Sequence, residues 1–435
     1  MSQRSAGFAS GLLARTFAAL RHRNYRLYFI GMVISLTGGW MQIVAAGWLV
    51  LRVTSSPLLL GVITAMETLP ALFFSLLAGA LADRIDKRRF AMITQSLLAL
   101  QALGLGLLVR THTASFWPIF WLALFAGVVS SFDVPVRQSL LFDLVGPEDI
   151  INATALNSVI FNVARIVGPT IAALIIVRSG EAVNFFANAL SFVFVVWALW
   201  SIRIGPGAAA ARAARRSEPL RRQIAYGVGY AFAHPLLARM FAALFVFSVF
   251  GFNYILLMPV FAKYVLHGGA HALGILMTCL GVGALLGSLS MAGRARTSLR
   301  SLVVTGLLFP ASLVVFALTH TLVAASIAVG ALGLCMVQFA VRFSSLLQME
   351  SGADVRGRVL GLYNTVLVGL APLGALQAGA LAQAYGAGIA LAGGAVVCSA
   401  AVIVAVVWPR DQPIRVSSPA SGERLLAEKT TVDVP

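Results

Sequence analysis

Twelve apolar runs, each about twenty residues or longer, recur along this chain and restrict what it can fold into. They lie at roughly 27–51, 58–82, 90–109, 116–139, 151–177, 183–202, 236–261, 272–292, 299–319, 321–347, 358–384 and 388–408. At a rise of about 1.5 Å per residue, about 20 helical residues cross the hydrocarbon core of a bilayer. Hydrocarbon offers no water to unpaired backbone groups, so each run is read as a membrane-spanning α-helix. A basic stretch divides the runs six and six. The reading is an all-α integral membrane fold of 12 transmembrane helices. A basic segment 1–26 comes first, then a six-helix bundle 27–202, a linker 203–235, a second bundle 236–408 and a polar tail 409–435.

Composition supports that reading. Apolar residues make up 59% of the chain and charged residues 11%, against about 25% charged in soluble domains. The formal charge of +17 is placed where a bilayer would place it. With both termini cytoplasmic, the outer loops hold only Arg52, Arg110, Arg178 and Lys263, and Arg165 falls within a span. The other 27 of the 32 basic residues lie on the cytoplasmic side. This is the positive-inside pattern, and it suits anionic lipid headgroups. No basic face remains for nucleic acid. Segment 1–26 interleaves Arg15, Arg21, Arg23 and Arg26 with Phe17, Leu20 and Tyr25, as an interfacial amphipathic helix would. The first apolar run is too long for a cleavable signal core.

Signatures of catalysis are missing. There is no phosphate-binding glycine loop followed by Lys-Ser/Thr and no His/Cys/acid cluster at metal spacing, so neither ATP, a metal nor another cofactor is expected. Cys279, Cys335 and Cys398 each lie within a span and read as small hydrophobes. Gly281, Gly283 and Gly287 read as helix packing.

The two halves repeat. Val136-Arg137 with Gly168-Pro169 answers Val341-Arg342 with Ala371-Pro372, and Ser35 with Gly38 answers Ser248 with Gly251. Asp133 and Arg137 are spaced i, i+4, as are Gln338 and Arg342, so each pair shares a helix face. Between the second and third runs stands Gly79-Ala-Leu-Ala-Asp-Arg-Ile-Asp-Lys-Arg-Arg89, a short charged loop in an antiparallel hairpin. That loop resembles the signature of the major facilitator superfamily. Gly39-Trp-Met-Gln42, Asp133-Val-Pro-Val-Arg-Gln138, Ala155-Leu-Asn-Ser158 and Arg356-Gly-Arg-Val359 extend the likeness to one bacterial branch. That branch holds enterobactin-type siderophore exporters, macrolide efflux proteins and transmembrane secretion effectors. The resemblance implies two pseudo-symmetric six-helix halves in a bacterial inner membrane, acting as a monomer, with substrate near the midplane between them. It also implies proton-driven export of medium-sized organic molecules.

Ionisable groups inside a span cost about 2.5–3.5 kcal/mol or more, so each needs a partner or a role. Glu67 lies ten residues past Pro57, about 15 Å down its helix. It reads either as a proton-binding carboxylate or as a hydrogen-bonded structural one. Asp133 reads as a proton-coupling acid or as the intrahelical partner of Arg137. Arg165 is too central to snorkel, so it should meet Glu67 or Asp133, or line water. The resemblance places the first, fourth, seventh and tenth helices around the central cavity. This makes Gln42, Ser130, Ser131, Arg137, Asn253, Gln338 and Arg342 candidate substrate contacts, each alternatively an interhelical hydrogen bond.

The resemblance also makes the charged loop a cytoplasmic gate. Gly79, Asp83, Arg84 and Arg88 would meet the eleventh-helix entry at Arg356 and Arg358. In the second half Met291 stands where Asp83 would be, so Arg294 and Arg296 would meet Glu148 and Asp149 at the start of the fifth helix. The expected function is export of an amphipathic small molecule by proton antiport. Two rivals stand beside it: a facilitator or proton-coupled importer, and a nontransporting membrane partner or sensor.

Overall fold

The computed structural model describes residues 18–82, 85–202, 229–291, 297–352 and 355–407. Twelve helices among them are long and apolar enough to cross a membrane. In the first half they are α1 (Arg23–Thr54), α2 (Pro57–Ala82), α3 (Lys87–Arg110), α4 (Phe116–Gly146), α5 (Glu148–Ser179) and α6 (Glu181–Ser201). In the second half they are α7 (Pro235–Tyr264), α8 (Gly269–Met291), α9 (Leu299–Ala317), α10 (Leu322–Glu350), α11 (Arg356–Tyr385) and α12 (Ala387–Val407). The face on which α6 ends and α7 begins is the linker side below; the opposite face is the far side.

Turn chemistry closes the hairpins. Gly146 at φ 73° and Gly180 at φ 79° end α4 and α5 in a backbone region that disfavours a Cβ. Asp86 caps α3 by accepting from the Arg89 amide, and Ser298 with Ser301 forms a capping box on α9. Aromatic residues mark both membrane interfaces. Trp117 and Trp121 open α4 on the far side, Trp197 and Trp200 close α6 on the linker side, and all four are exposed.

Helix contacts rely on small residues, because lipid tails compete equally well for large apolar ones. A Cβ on Gly283 would lie 1.8 Å from the Gly330 carbonyl oxygen of α10, and one on Gly287 would lie 2.7 Å from that of Leu334. The expected packing role of this glycine run is therefore observed at the α8–α10 crossing. The symmetry-related Gly38 and Gly251 both sit in crossings, against Asn188 and Ser191 of α6 and against Cys398 of α12.

Helices α7 and α11 are not continuous. A π-helical turn, Phe247–Gly251, interrupts α7, and Leu370 separates two segments of α11. The breaks face each other, since a Cβ on Gly374 would meet the Asn253 side chain and the Ser248 carbonyl. The Asn253 amide donates to the Val249 carbonyl, giving a partner to a group in the interrupted ladder. Beside the π turn, Phe247 stacks on Phe339 at 4.5 Å and on Phe309 at 5.8 Å.

The halves meet through α5 against α8 and α2 against α11. The hydrogen bonds that join them lie toward the far side. Lys263 donates to the Leu51 carbonyl, Tyr264 to that of Ser55, Ser56 to Gln383, and Thr170 pairs with Thr278. Ala173 opposes Gly274 and Ile166 opposes Gly281. Continued toward the linker side, that register would bring Ser158 to Leu289, yet both are exposed. The halves are closed on the far side and parted on the linker side.

Gly283→Ala should cost about 1–3 kcal/mol of stability, because backbone rather than a flexible side chain fills the space. Thermal unfolding of the detergent-solubilised variant against wild type measures it.

Candidate functional site

A cavity of about 210 Å³ lies between the halves in their far-side portion. Helices α1, α2, α3, α4, α7, α8 and α11 contribute to its wall, so it belongs to neither half alone. Its lining is mostly aliphatic, with Gln42, Thr64, Glu67, Gln101 and Asn253 as the polar groups. Such a surface, apolar with a few placed polar groups, suits an organic ligand.

Among the described residues, Glu67 is its only charged lining residue. Three features of α2 place it. Pro57 starts the helix about 15 Å away along the axis. Pro70 cannot donate to the Met66 carbonyl, and it loosens the helix just past Glu67. Gly127 then lets α4 close in, since a Cβ there would lie 2.4 Å from the Glu67 carbonyl oxygen. Glu67 is exposed to the cavity, and among the described residues its carboxylate has neither a hydrogen-bond donor nor a cation. Of the two readings, the hydrogen-bonded structural carboxylate finds no partner here.

Gln42 and Asn253, both expected at the cavity, line it. Gln42 is also tied into the first half. It donates to Gln101 of α3 at 3.1 Å and accepts from Asn188 of α6 at 2.8 Å, and Asn188 in turn accepts from Ser191. Gln101, Asn188 and Ser191 are buried. Sequence reasoning passed over these three, since a polar residue in an apolar run does not announce which neighbour it faces.

Ser130, Ser131, Arg137, Gln338 and Arg342 do not line this cavity. They lie nearer the linker side. Ser131 is buried and donates to the Gly127 carbonyl, while Ser130 is half-buried. Arg342 donates to Gln338, which donates to Ser290 of α8 at 2.8 Å.

Asp133 is at the centre of a network in the first half. It is 1% exposed and accepts from Thr94 at 2.6 Å, from Gln95 at 2.9 Å and from the Arg137 Nε at 2.5 Å. The guanidinium also lies against the Met32 sulfur and the Tyr28 phenol. The expected i, i+4 pair is present, and α1 and α3 surround it. Arg165 meets neither Asp133 nor Glu67. It donates to Asn162 at 3.1 Å, its Nε is buried without a partner among the described residues, and it lies within electrostatic reach of Tyr254 on α7. Lining water was the other expectation for Arg165, and the parted linker side is compatible with it.

Toward the linker-side surface a second buried ion pair joins α3 to α4. Lys87 meets Asp143 at 3.1 Å, with both side chains under 10% exposed. Arg88 donates to the Leu199 and Trp200 carbonyls, placing a cation at the negative end of α6. Of the other gate residues, Asp83, Arg84, Arg294 and Arg296 lie outside the described residues, and Gly79 falls in the last turns of α2. Glu148 is exposed at the start of α5, where Asp149 meets His22 at 2.8 Å. Arg356, the first residue of α11, donates to the Gln348 carbonyl, and Arg358 follows in the same turn.

Solved transporters share this architecture. The nucleoside transporter NupG superposes with a TM-score of 0.70 over 89% of this chain and 100% of its own, at 12% identity. A bacterial homologue of the human lysosomal transporter Spinster, in an inward-facing and occupied conformation, gives 0.64 over 94% and 98%, at 15% identity. The likeness is one of fold, and the family model that matches this chain places that fold in the major facilitator superfamily. Within it, the chain belongs to the transmembrane secretion effector family, whose model matches residues 14–421. Relatives include the staphyloferrin A transporter of Staphylococcus aureus, 28% identical over 61% of this chain and 66% of that one. The multidrug efflux pump Tap of Mycolicibacterium fortuitum is 27% identical over 80% and 87%.

Removing one partner of a buried ion pair typically costs about 3–5 kcal/mol, so Asp133→Asn and Arg137→Gln should each destabilise strongly. Their double variant should lose less than the sum. Unfolding of the four proteins as a double-mutant cycle tests this.

Proposed function

We propose that the protein is a secondary active exporter of an amphipathic small organic molecule, siderophore-like or drug-like, working by alternating access with proton antiport. The observation that carries this reading is Glu67, a carboxylate without a partner among the described residues in a cavity that both halves enclose. A carboxylate released from hydrocarbon contact only by water or cargo is suited to bind a proton in one state and lose it in another. Efflux relatives support export, and the apolar lining of the cavity supports an amphipathic cargo.

The excess of Lys and Arg on the linker side supports both termini being cytoplasmic in a bacterial inner membrane. In that orientation the parted state is inward-open. Gln42 and Asn253 would touch cargo there, and the half-buried Ser130 and Gln338 would lie nearer the cytoplasmic entrance, with Ser131 and Arg342 buried beside them. Arg165, beside Tyr254, and the Asp133–Arg137 pair would sense the proton's charge. Closing the cytoplasmic side brings Asp83, with Gly79, Arg84 and Arg88, to Arg356 and Arg358 at the start of α11. It also brings Arg294 and Arg296 to Glu148 and Asp149, in exchange for the His22 contact of Asp149.

Inside-out membrane vesicles test the reading. A pH gradient, acid inside, should drive uptake of a fluorescent amphipathic dye. Glu67→Gln should cut this uptake about 10-fold or more while sparing counterflow exchange, which needs no net proton movement. Uptake by the Glu67→Gln variant at the wild-type rate removes Glu67 from coupling, and indifference of the wild type to any pH gradient removes antiport.

A further inference from the structure

A second hollow lies outside the transport path. On the outer surface of the second half, a groove of about 410 Å³ runs between α7, α9 and α12 toward the linker side. Its rim residues Leu299, Val304 and Val406 are each more than 40% exposed, so it opens laterally, where lipid would be. Met240, Ala243, Val303, Val402 and Ala405 form the walls, and the stacked rings of Phe247 and Phe339 form the floor. Small residues make the space, with Ala243 and Ala405 on opposite walls and Gly306 leaving its side open beside Val402.

The mouth is basic. Arg239 lies one turn into α7, its Nε directed back to the Pro235 carbonyl at the helix start. Arg300 is the second residue of α9, exposed and without a hydrogen bond or ion pair among the described residues. Both helices also begin here, so the positive ends of two helix dipoles add to two guanidinium groups. A comparable groove of about 540 Å³ between α3 and α6 has walls of Leu100, Leu103, Leu190 and Val193 and no charged lining residue among the described residues. A basic mouth is thus not a general property of grooves on this surface. The apolar interior disfavours a free inorganic anion, and the guanidinium pair favours a negative headgroup.

We propose that this groove binds one anionic phospholipid. Its phosphate sits at Arg239 and Arg300, and one acyl chain runs past Ala243 and Ala405 to Phe247 and Phe339. The chain end then rests on the first residue of the π turn in α7, so an occupied groove supports the interrupted helix from outside. The site is separate from the central cavity and stands whether or not protons drive transport.

Native mass spectrometry of the full-length protein tests it, with phosphatidylglycerol or phosphatidylcholine added to the detergent. Wild type should retain one phosphatidylglycerol in preference to phosphatidylcholine. Arg239→Gln with Arg300→Gln should weaken that preference about 30-fold, from about 1 kcal/mol for each basic residue at a charged lipid surface. Arg300→Lys should keep most of it. Ala405→Trp should expel the lipid with both arginines present, in a protein that stays monodisperse and unfolds at the wild-type temperature. Equal retention of the two lipids, or lipid kept by Ala405→Trp, overturns the proposal. If phosphatidylglycerol binds only after residues 409–435 are removed, the groove belongs to the chain's own tail and the proposal also falls.

Discussion

In hydrocarbon, a backbone N–H or C=O without a partner costs several kcal/mol, and no solvent is present to relieve it. That constraint makes every span a helix before any side chain has met another. It also restricts where a helix can be broken. The π turn of α7 and the break in α11 face each other beside the central cavity, and the Asn253 side chain supplies a donor to the Val249 carbonyl. Among the described residues, the two places where a spanning helix leaves regular α geometry are thus packed against each other.

The same cost applied to charge separates the ionisable groups into kinds. Asp133 is surrounded by Thr94, Gln95 and Arg137, and Lys87 and Asp143 pair at the membrane edge. Glu67 has no such company among the described residues and opens onto the cavity. The halves repeat in topology and differ in this pair, because Gln338 stands where Asp133 has its counterpart and accepts from Arg342 through its amide oxygen.

Much of this was legible in the sequence. The spans, the repeat, the Asp133–Arg137 pair and the packing role of Gly283 and Gly287 all follow from spacing along one helix or from residue size. What could not be read depends on helix rotation. Gln42 meets Asn188, 146 residues away, and Lys87 meets Asp143 rather than a lipid phosphate. Asn188 and Asp143 carry no local mark of those roles. Arg165 is the instructive case. Its depth forces a partner or water, but its direction points to Asn162 and Tyr254 and away from both acids.

By itself the sequence determined the number of spans, the two-fold repeat and the concentration of basic charge on one face. Each is set by one-dimensional quantities: run length against bilayer thickness, residue recurrence and loop composition. Only the tertiary structure decided which polar groups share a cavity, which half holds the ion network and on which side the bundles part. Those depend on how far each helix is turned about its axis and how closely glycine lets it approach its neighbour. A turn of one residue, about 100°, moves a side chain from cavity to lipid without changing the hydropathy of the span.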